Sequence, residues 1–332
     1  MDSKRSHKYC TLKQLCSILC ILFLTSCTWV KDEYDDCRVG FWLNLHYTYN
    51  ILDVEAAPEY VKEVSVYVYD SIGNYVSRID VPQTELADNQ YKVRIKGLPE
   101  GDYQFVVWSG IANNQYAVSG DKSTMDEYSL SLAGSSAMVA APLPDLFYGY
   151  LETVHYDDTY ATHDVWMMKD VNQLVCLFVP LSEDTALSAD DYNMMLVSAN
   201  GTMDVMNMPV SDVPITYLPY ERTAVTIDDA EYGKLNGIGF SLSTLRLMED
   251  LDCRLVFQKA DTGETLFNIS LPEYISMIGA FYTNLGRPLT MQEYLDRQDF
   301  YHIVFFLSED FSTLIRLEVN SWRLRVNNHI KL

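Results

Sequence analysis

The chain has 332 residues, 24 basic against 46 acidic side chains, a net charge of −22 and 48% hydrophobic residues. Such acidity argues against nucleic acid as a partner and against an adhesive basic face on anionic lipid. The apolar content, with 13% aromatic residues, excludes a disordered stalk.

At the N-terminus, Lys4, Arg5, Lys8 and Lys13 precede an apolar run from Leu15 to Leu24, broken by Cys16, Ser17 and Cys20. A basic segment, a short apolar segment and small residues, in that order, make a secretory signal. The run is too short for a bilayer-spanning helix, which takes about 20 residues. Leu24-Thr25-Ser26-Cys27 resembles the bacterial lipobox, in which a diacylglycerol is added to the cysteine sulfur and cleavage leaves that cysteine first. Residues 1–26 are therefore expected to be a lipoprotein signal peptide and 27–38 a lipidated tether. Cys27 is the expected lipid attachment site, with palmitate-type chains, because two or three acyl chains hold a protein stably where one does not. Lys31-Asp32-Glu33 is similar to the signal that sends Bacteroidota lipoproteins to the outer face of the outer membrane. Signal removal takes four basic residues and one acid, leaving 306 residues and a charge of −25.

Of seven cysteines, Cys10, Cys16 and Cys20 leave with the signal and Cys27 carries lipid. Cys37, Cys176 and Cys253 remain, with no CxxC spacing for zinc or redox chemistry, so no disulfide framework is expected. Cys176, within LVCLFV, reads as a small buried hydrophobe.

Along the mature chain the hydrophobic period is two, the mark of strands with one buried face. Val64, Val66 and Val68 alternate with Ser65, Tyr67 and Tyr69; Tyr91, Val93 and Ile95 with Lys92, Arg94 and Lys96; Phe267, Ile269 and Leu271 with Asn268 and Ser270. Turn residues fall between such runs at Asp70–Asn74, Asn200-Gly201 and Asp261-Thr262-Gly263. Short helices are predicted at Pro272–Ile278 and Met291–Arg297. Residues 110–163 are rich in Ser, Gly, Asp and Tyr, and strong strand patterning resumes at Val165. A chain of this length exceeds a usual single core. The reading is all-β, with one domain over 39–162 and a second over 163–332.

Several segments resemble the FimB-like family of fimbrial anchor and accessory lipoproteins of Bacteroidales. They are VYVYDSIGNYV (66–76) and LPEGDYQFVVWSG (98–110) in the first half, then ANGTMDVMNMPV with ITYLPY (199–220), FSLSTLRLM (240–248), MQEYLDRQDFYHIVFFL (291–307) and NSWRLRVNN (320–328). The resemblance implies two tandem transthyretin-like β-sandwich domains, a lipidated N-terminus and a place at the base of a type V fimbrium. It also implies pilin subunits of the same fimbria as partners, joined by β-strand addition, with cell adhesion as the setting. Residues 111–163 match nothing in it.

Motif chemistry is otherwise sparse: there is no HExxH, GxSxG, GxGxxG or P-loop, and no enzyme, cofactor or small-molecule substrate is expected. One metal candidate is the loop group His155, Asp157, Asp158, His163 and Asp164; another is Asp121, Asp126 and Glu127 for calcium. Trp108 and Trp322 read as core fillers, and Asp296 and Arg297 as makers of local hydrogen bonds. The competing function is a surface glycan-binding lipoprotein of a polysaccharide-uptake system, since 24 tyrosines could supply aromatic platforms. The C-terminal stretch from Trp322 alternates apolar residues with Arg323, Arg325, Asn327, His329 and Lys331, and reads as the last strand of its own sandwich.

Stalk pilins of the resembled family are cut after an N-terminal arginine. Arg38 is the one arginine between Cys27 and Asn50. A cut there would strip the lipid from both domains, so the working form is predicted to begin at Cys27. Cells fed an alkyne fatty acid should label the wild-type protein and not a Cys27→Ala variant. Mass spectrometry of fimbria-associated protein should find no major species starting at Val39; an unlabelled wild type would refute the anchor.

Overall fold

The computed structural model describes residues 40–119, 122–134, 137–157, 159–182, 187–282 and 285–331, with side chains left out of the description over 324–331. The expected signal, the tether, Cys27, Cys37 and Arg38 lie outside the described residues. Among the described residues no helix is long and apolar enough to cross a membrane.

The first half begins with β1 (Phe41–His46), a one-turn helix α1 (Ala57–Tyr60), the hairpin β2 (Val64–Asp70) and β3 (Tyr75–Val81), α2 (Gln83–Asp88), β4 (Lys92–Ile95) and β5 (Gly101–Ser109). Three short strands follow, β6 (Tyr116–Ser119), β7 (Ser129–Leu132) and β8 (Met138–Val139), then β9 (Phe147–Tyr156) and β10 (Thr162–Lys169). Seven of these form one sheet in the order β3-β2-β5-β9-β10-β1-β4. It doubles over because β10 changes partner midway: Thr162–Trp166 pair in parallel with β1, and Met167–Lys169 pair with β9. The corner is tight. A Cβ on Gly149 would come within 2.7 Å of Met167 Sδ and 2.8 Å of a Val165 methyl, so only glycine lets β9 approach β10. Leu43, Leu45, Val93, Ile95 and Val165 then face Val66, Val68, Phe105 and Val107 in one core.

The second half contains β11 (Val171–Pro180), β12 (Tyr192–Ser198), β13 (Thr202–Asp204), β14 (Ile215–Tyr217), β15 (Glu221–Asp229), β16 (Gly233–Leu245), β17 (Cys253–Lys259) and β18 (Thr265–Ser270). It closes with α3 (Leu271–Ser276), α4 (Met291–Arg297), β19 (Phe300–Leu307), β20 (Thr313–Val319) and β21 (Trp322–Lys331). A six-stranded sheet, β15-β16-β11-β19-β20-β21, packs on a five-stranded one, β18-β17-β12-β14-β8. Phe178 sits at the centre, stacked 4.1 Å from Phe257 across the sandwich and 5.1 Å from Phe305 beside it. The all-β reading holds, with two sandwiches in series.

Several expectations need correction. The expected boundary gives His163–Lys169 to the second domain, but these residues lie in β10 and complete the first sheet; resumed strand patterning marks a strand, not the sheet it joins. The Ser-, Gly-, Asp- and Tyr-rich stretch up to residue 162 is expected to belong to the first domain alone. Instead the β6–β7 hairpin pairs with β13, and β8 pairs with β14, so this arm clasps the second sandwich. Strands of two to four residues are too short to show a period. The arm also explains why β2 is buried on both faces: Tyr67 and Tyr69 point away from the first core and pack with Tyr128 and Leu130 of the arm in a cluster continuous with the second core. The turns at Asp70–Asn74 and Asp261–Gly263 do close hairpins, with Gly73 and Gly263 at positive φ. Helix α4 spans the predicted residues, started by Thr290 Oγ1, which accepts from the Glu293 N–H at 3.1 Å.

The direct passage from β10 to β11 is a single residue. Asp170, between β10 and β11, is 0% exposed, and its Oδ1 accepts from Asn207 Nδ2 at 2.8 Å. Burial raises its carboxyl from 3.8 to about 7, although the Arg246 guanidinium opposes the shift. A carboxyl raised in this way is neutral in the folded protein over a range where the unfolded chain is ionised. Its folded state therefore loses stability as pH climbs from about 4 to about 7. Asp170→Asn, which keeps an acceptor for Asn207, should not share that decline. Denaturant titrations at pH 5 and pH 8 should show the variant gaining on wild type at the higher pH; a constant difference would refute the buried neutral acid.

Candidate functional site

A protein that joins another through backbone pairing needs an open sheet edge, and edges are normally blunted by shortness, bulges or cover. Among the described residues the four sheets have eight edge strands: β3 and β4, β15 and β21, β18 and β8, and the three- and four-residue β13 and β6. Strands β4 and β8 have four and two residues. The ladders of β3, β18 and β21 each carry a register shift. Strand β15 has neither defect. Its nine residues pair without interruption with β16, and Glu221–Ala224, Thr226 and Asp228 are exposed. Its apolar residues Val225 and Ile227 lie beside Leu177, Val179, Leu235, Val304 and Phe306 on the outer face of the six-stranded sheet. A strand laid along β15 would extend both a ladder and an apolar patch.

The base of β15 is fixed by charge. Arg316, 3% exposed, pairs with the carboxylate of Asp229 and lies 3.7 Å over the Phe306 ring. Burial works against ionisation of Asp229, but the hydrogen bond from Arg316 and the Glu231 and Tyr232 N–H groups outweigh it and hold its carboxyl below the ordinary value.

Most of the expected sites are dispersed. His155 Nδ1 is 2.8 Å from Asp102 Oδ1, and Asp157 accepts from Thr159. The His163 ring packs edge-on to Phe41, and Asp164 joins a different group; Asp158 lies outside the described residues. The described members of the candidate metal group do not converge, and among the described residues no three His, Cys, Asp or Glu side chains are placed to hold a metal. Asp126 and Glu127 form a single 3-10 turn, and Asp121 is not described. Trp108 is a core filler, packed 5.0 Å from Tyr148. Trp322 is not: it is 42% exposed and lies against Phe281 and Tyr282. Cys176 and Cys253 are both free and buried, and burial pushes each thiol up to about 12. Asp296 and Arg297 act over long range. Asp296 takes a two-point ion pair from Arg246 at 2.8 and 3.0 Å, while Arg297 reaches the Asn50 carbonyl and stacks 4.3 Å over Tyr49. The strongest ground for glycan capture weakens, since Tyr67, Tyr69, Tyr128, Tyr156, Tyr217, Tyr294 and Tyr301 are fully buried. The backbone of β21 pairs with β20 as the outer strand of its own sheet.

Residues 34–328 match the family model of the fimbrillin-A associated anchor proteins Mfa1 and Mfa2. The chain belongs to this family. Solved structures agree. A candidate polysaccharide-binding protein of Bacteroides thetaiotaomicron is 29% identical, with a TM-score of 0.74 over 86% of this chain and 98% of that one. A candidate adhesin of the same organism is 25% identical, with a TM-score of 0.76 over 87% and 98%. The fimbrial anchor protein Mfa2 of Porphyromonas gingivalis shares the fold at 15% identity, with a TM-score of 0.65 over 86% and 98%. No curated protein matches.

A second polar group, which the sequence did not flag, lies on the outer face of β1 and β10. His46 Nδ1 is 2.7 Å from Glu55 Oε2, and its Nε2 is 3.0 Å from Asp164 Oδ1. Burial opposes charge on the ring, yet the two carboxylates outweigh it and raise the imidazole above 6.5. Glu55 and Asp164 are both held below their ordinary values: Glu55 against its burial, by the Tyr47 and Ala57 N–H groups and His46; Asp164 by Asn44 and then His46. Only the β-register reveals the cluster, because Asp164 is 118 residues from His46. A histidine raised on folding adds stability below pH 6.5 that is lost as pH rises through its folded value. NMR should show His46 titrating above 6.5, and Glu55→Gln should lower that midpoint; an unchanged midpoint would refute the pairing.

Proposed function

We propose that the protein is a lipid-anchored fimbrial subunit of the outer membrane, which attaches or terminates a type V fimbria at the cell surface by β-strand addition with a pilin. The observation that carries this reading is the anchor-family match over residues 34–328. The relative from Porphyromonas gingivalis is itself a fimbrial anchor protein of the same fold. The lipobox-like sequence ending in Cys27 supports attachment to the membrane, and the long unblunted edge of β15 supports attachment to the fibre. In this reading the backbone ladder supplies strength, and side chains beside Val225 and Ile227 supply selectivity. Cys27 keeps its lipid because the chain is not cut at Arg38.

Proline tests the edge. In an antiparallel ladder neighbouring N–H groups point to opposite sides, so of Thr223 and Ala224 one donates inward to β16 and the other faces outward. Proline at the outward position removes a donor only from the incoming strand. That single variant should keep its thermal midpoint and lose co-purification with pilin from detergent extracts. A stable variant at the outward position that still co-purifies with pilin would overturn strand addition at β15.

A further inference from the structure

The outer face of β4, β1 and β10 carries an unusual set of side chains. The register places Arg94, Trp42 and Thr162 in one row, Lys92, Asn44 and Asp164 in the next, and His46 beside Trp166 in the third. All point away from the core, because Phe41, Leu43, Leu45, Val93, Ile95 and Val165 take the alternate, buried positions. Trp166 is 59% exposed, a cost that the core does not require. Its ring is nevertheless held in place: it lies at 24° to the His46 ring with centroids 6.1 Å apart, and Glu55 and Asp164 clamp His46 from both sides.

Four residues away along β1, about 13 Å at strand rise, Trp42 lies under the Arg94 guanidinium at 5.7 Å. Trp42, Arg94 and Lys96 there line a surface groove of about 470 Å³ with Ile79, Glu85 and Asn89. In a chain of net charge −22, strand β4 presents two cations at alternate positions, Lys92 and Arg94, and Lys96 follows just past its end. The face is therefore aromatic at both ends, hydrogen-bonding in the middle and basic along one side.

We propose that this face binds an acidic polysaccharide. The apolar face of a pyranose ring carries C–H bonds of slight positive charge, which fit the electron-rich face of an indole. A rigid, exposed tryptophan beside a clamped Asn44–Asp164 pair suits such a ring, as Asp164 Oδ1 already accepts from Asn44 Nδ2 at 2.8 Å and keeps its second oxygen for a sugar hydroxyl. Carboxylate or sulfate groups of the same chain would meet Lys92 and Arg94 one to two strand spacings away, about 5 to 10 Å. On a protein of net charge −22, these cations favour this face as the place where such a chain can lie. The site is separate from β15, so it stands or falls independently of pilin binding.

Affinity electrophoresis of the full-length protein in a non-ionic detergent, with polygalacturonate, chondroitin sulfate or hyaluronate in the gel and dextran as the neutral control, tests the proposal. Wild type should be retarded by at least one acidic glycan and not by dextran. Trp166→Ala should weaken the retardation about tenfold, while Trp166→Phe should restore much of it. Lys92→Ala with Arg94→Ala should abolish it, and the circular dichroism of each variant should match wild type. No retardation by any acidic glycan overturns the proposal. So does equal retardation by dextran, or a Trp166→Ala variant that migrates as wild type.

Discussion

Between Lys169 and Val171 the chain crosses from one sandwich to the other through a single residue that has no contact with solvent. That constraint sets much of what surrounds it. With no linker, β10 and β11 must leave adjacent sheets back to back, and the polar groups stranded there have to find partners within the protein. Lys169 lies between Asp145 and Asp299, both at 2.9 Å. Its burial disfavours the ammonium, and the two carboxylates overcome that and raise it. Arg246 donates to the Asn207 carbonyl and grips Asp296, and Arg297 reaches back to the first sandwich. Asn207 in turn donates its side-chain amide to Asp170. Removing one partner from such a network leaves a charge buried without compensation, so the junction is an all-or-none unit.

The arm that carries β6, β7 and β8 completes the joint from the other side. It leaves the first sheet after β5, adds β8 to the second sandwich and returns to begin β9. Tyr67 and Tyr128, 5.1 Å apart, belong to elements of different layers, yet they share one apolar cluster that extends to Phe178. The two sandwiches thus bury surface against each other rather than merely following one another.

Strand periods, hairpin turns and the α4 helix could be read from the chain because each depends on residues within about ten positions of one another. The fold class followed from these. What escaped was set by partners far along the chain. The pairing of Asn44 with Asp164 gives no local signal, nor does the reach of Arg246 to Asp296 or the capture of β8 by β14. The candidate metal group does not converge for the same reason: His155, His163 and Asp164 are close in sequence but stand on the ends and faces of two strands, so they diverge. The edge of β15 was invisible too, since alternation identifies a strand but not its place at the rim of a sheet.

The change of partner within β10 has a mechanical meaning. Strands β1 and β10 run parallel, and the N-terminus enters at the start of β1, while the path to the second sandwich leaves from the end of β10. Tension between the N-terminus and the second sandwich therefore pulls these neighbours in opposite directions along their length. The ladder from Trp42 to His46 is loaded in shear, with all its bonds sharing the force, and cannot open one bond at a time as a hairpin does when its ends are peeled apart. A chain held at its N-terminus and dragged from beyond residue 170 meets its resistance in the strand pair that closes the first sheet.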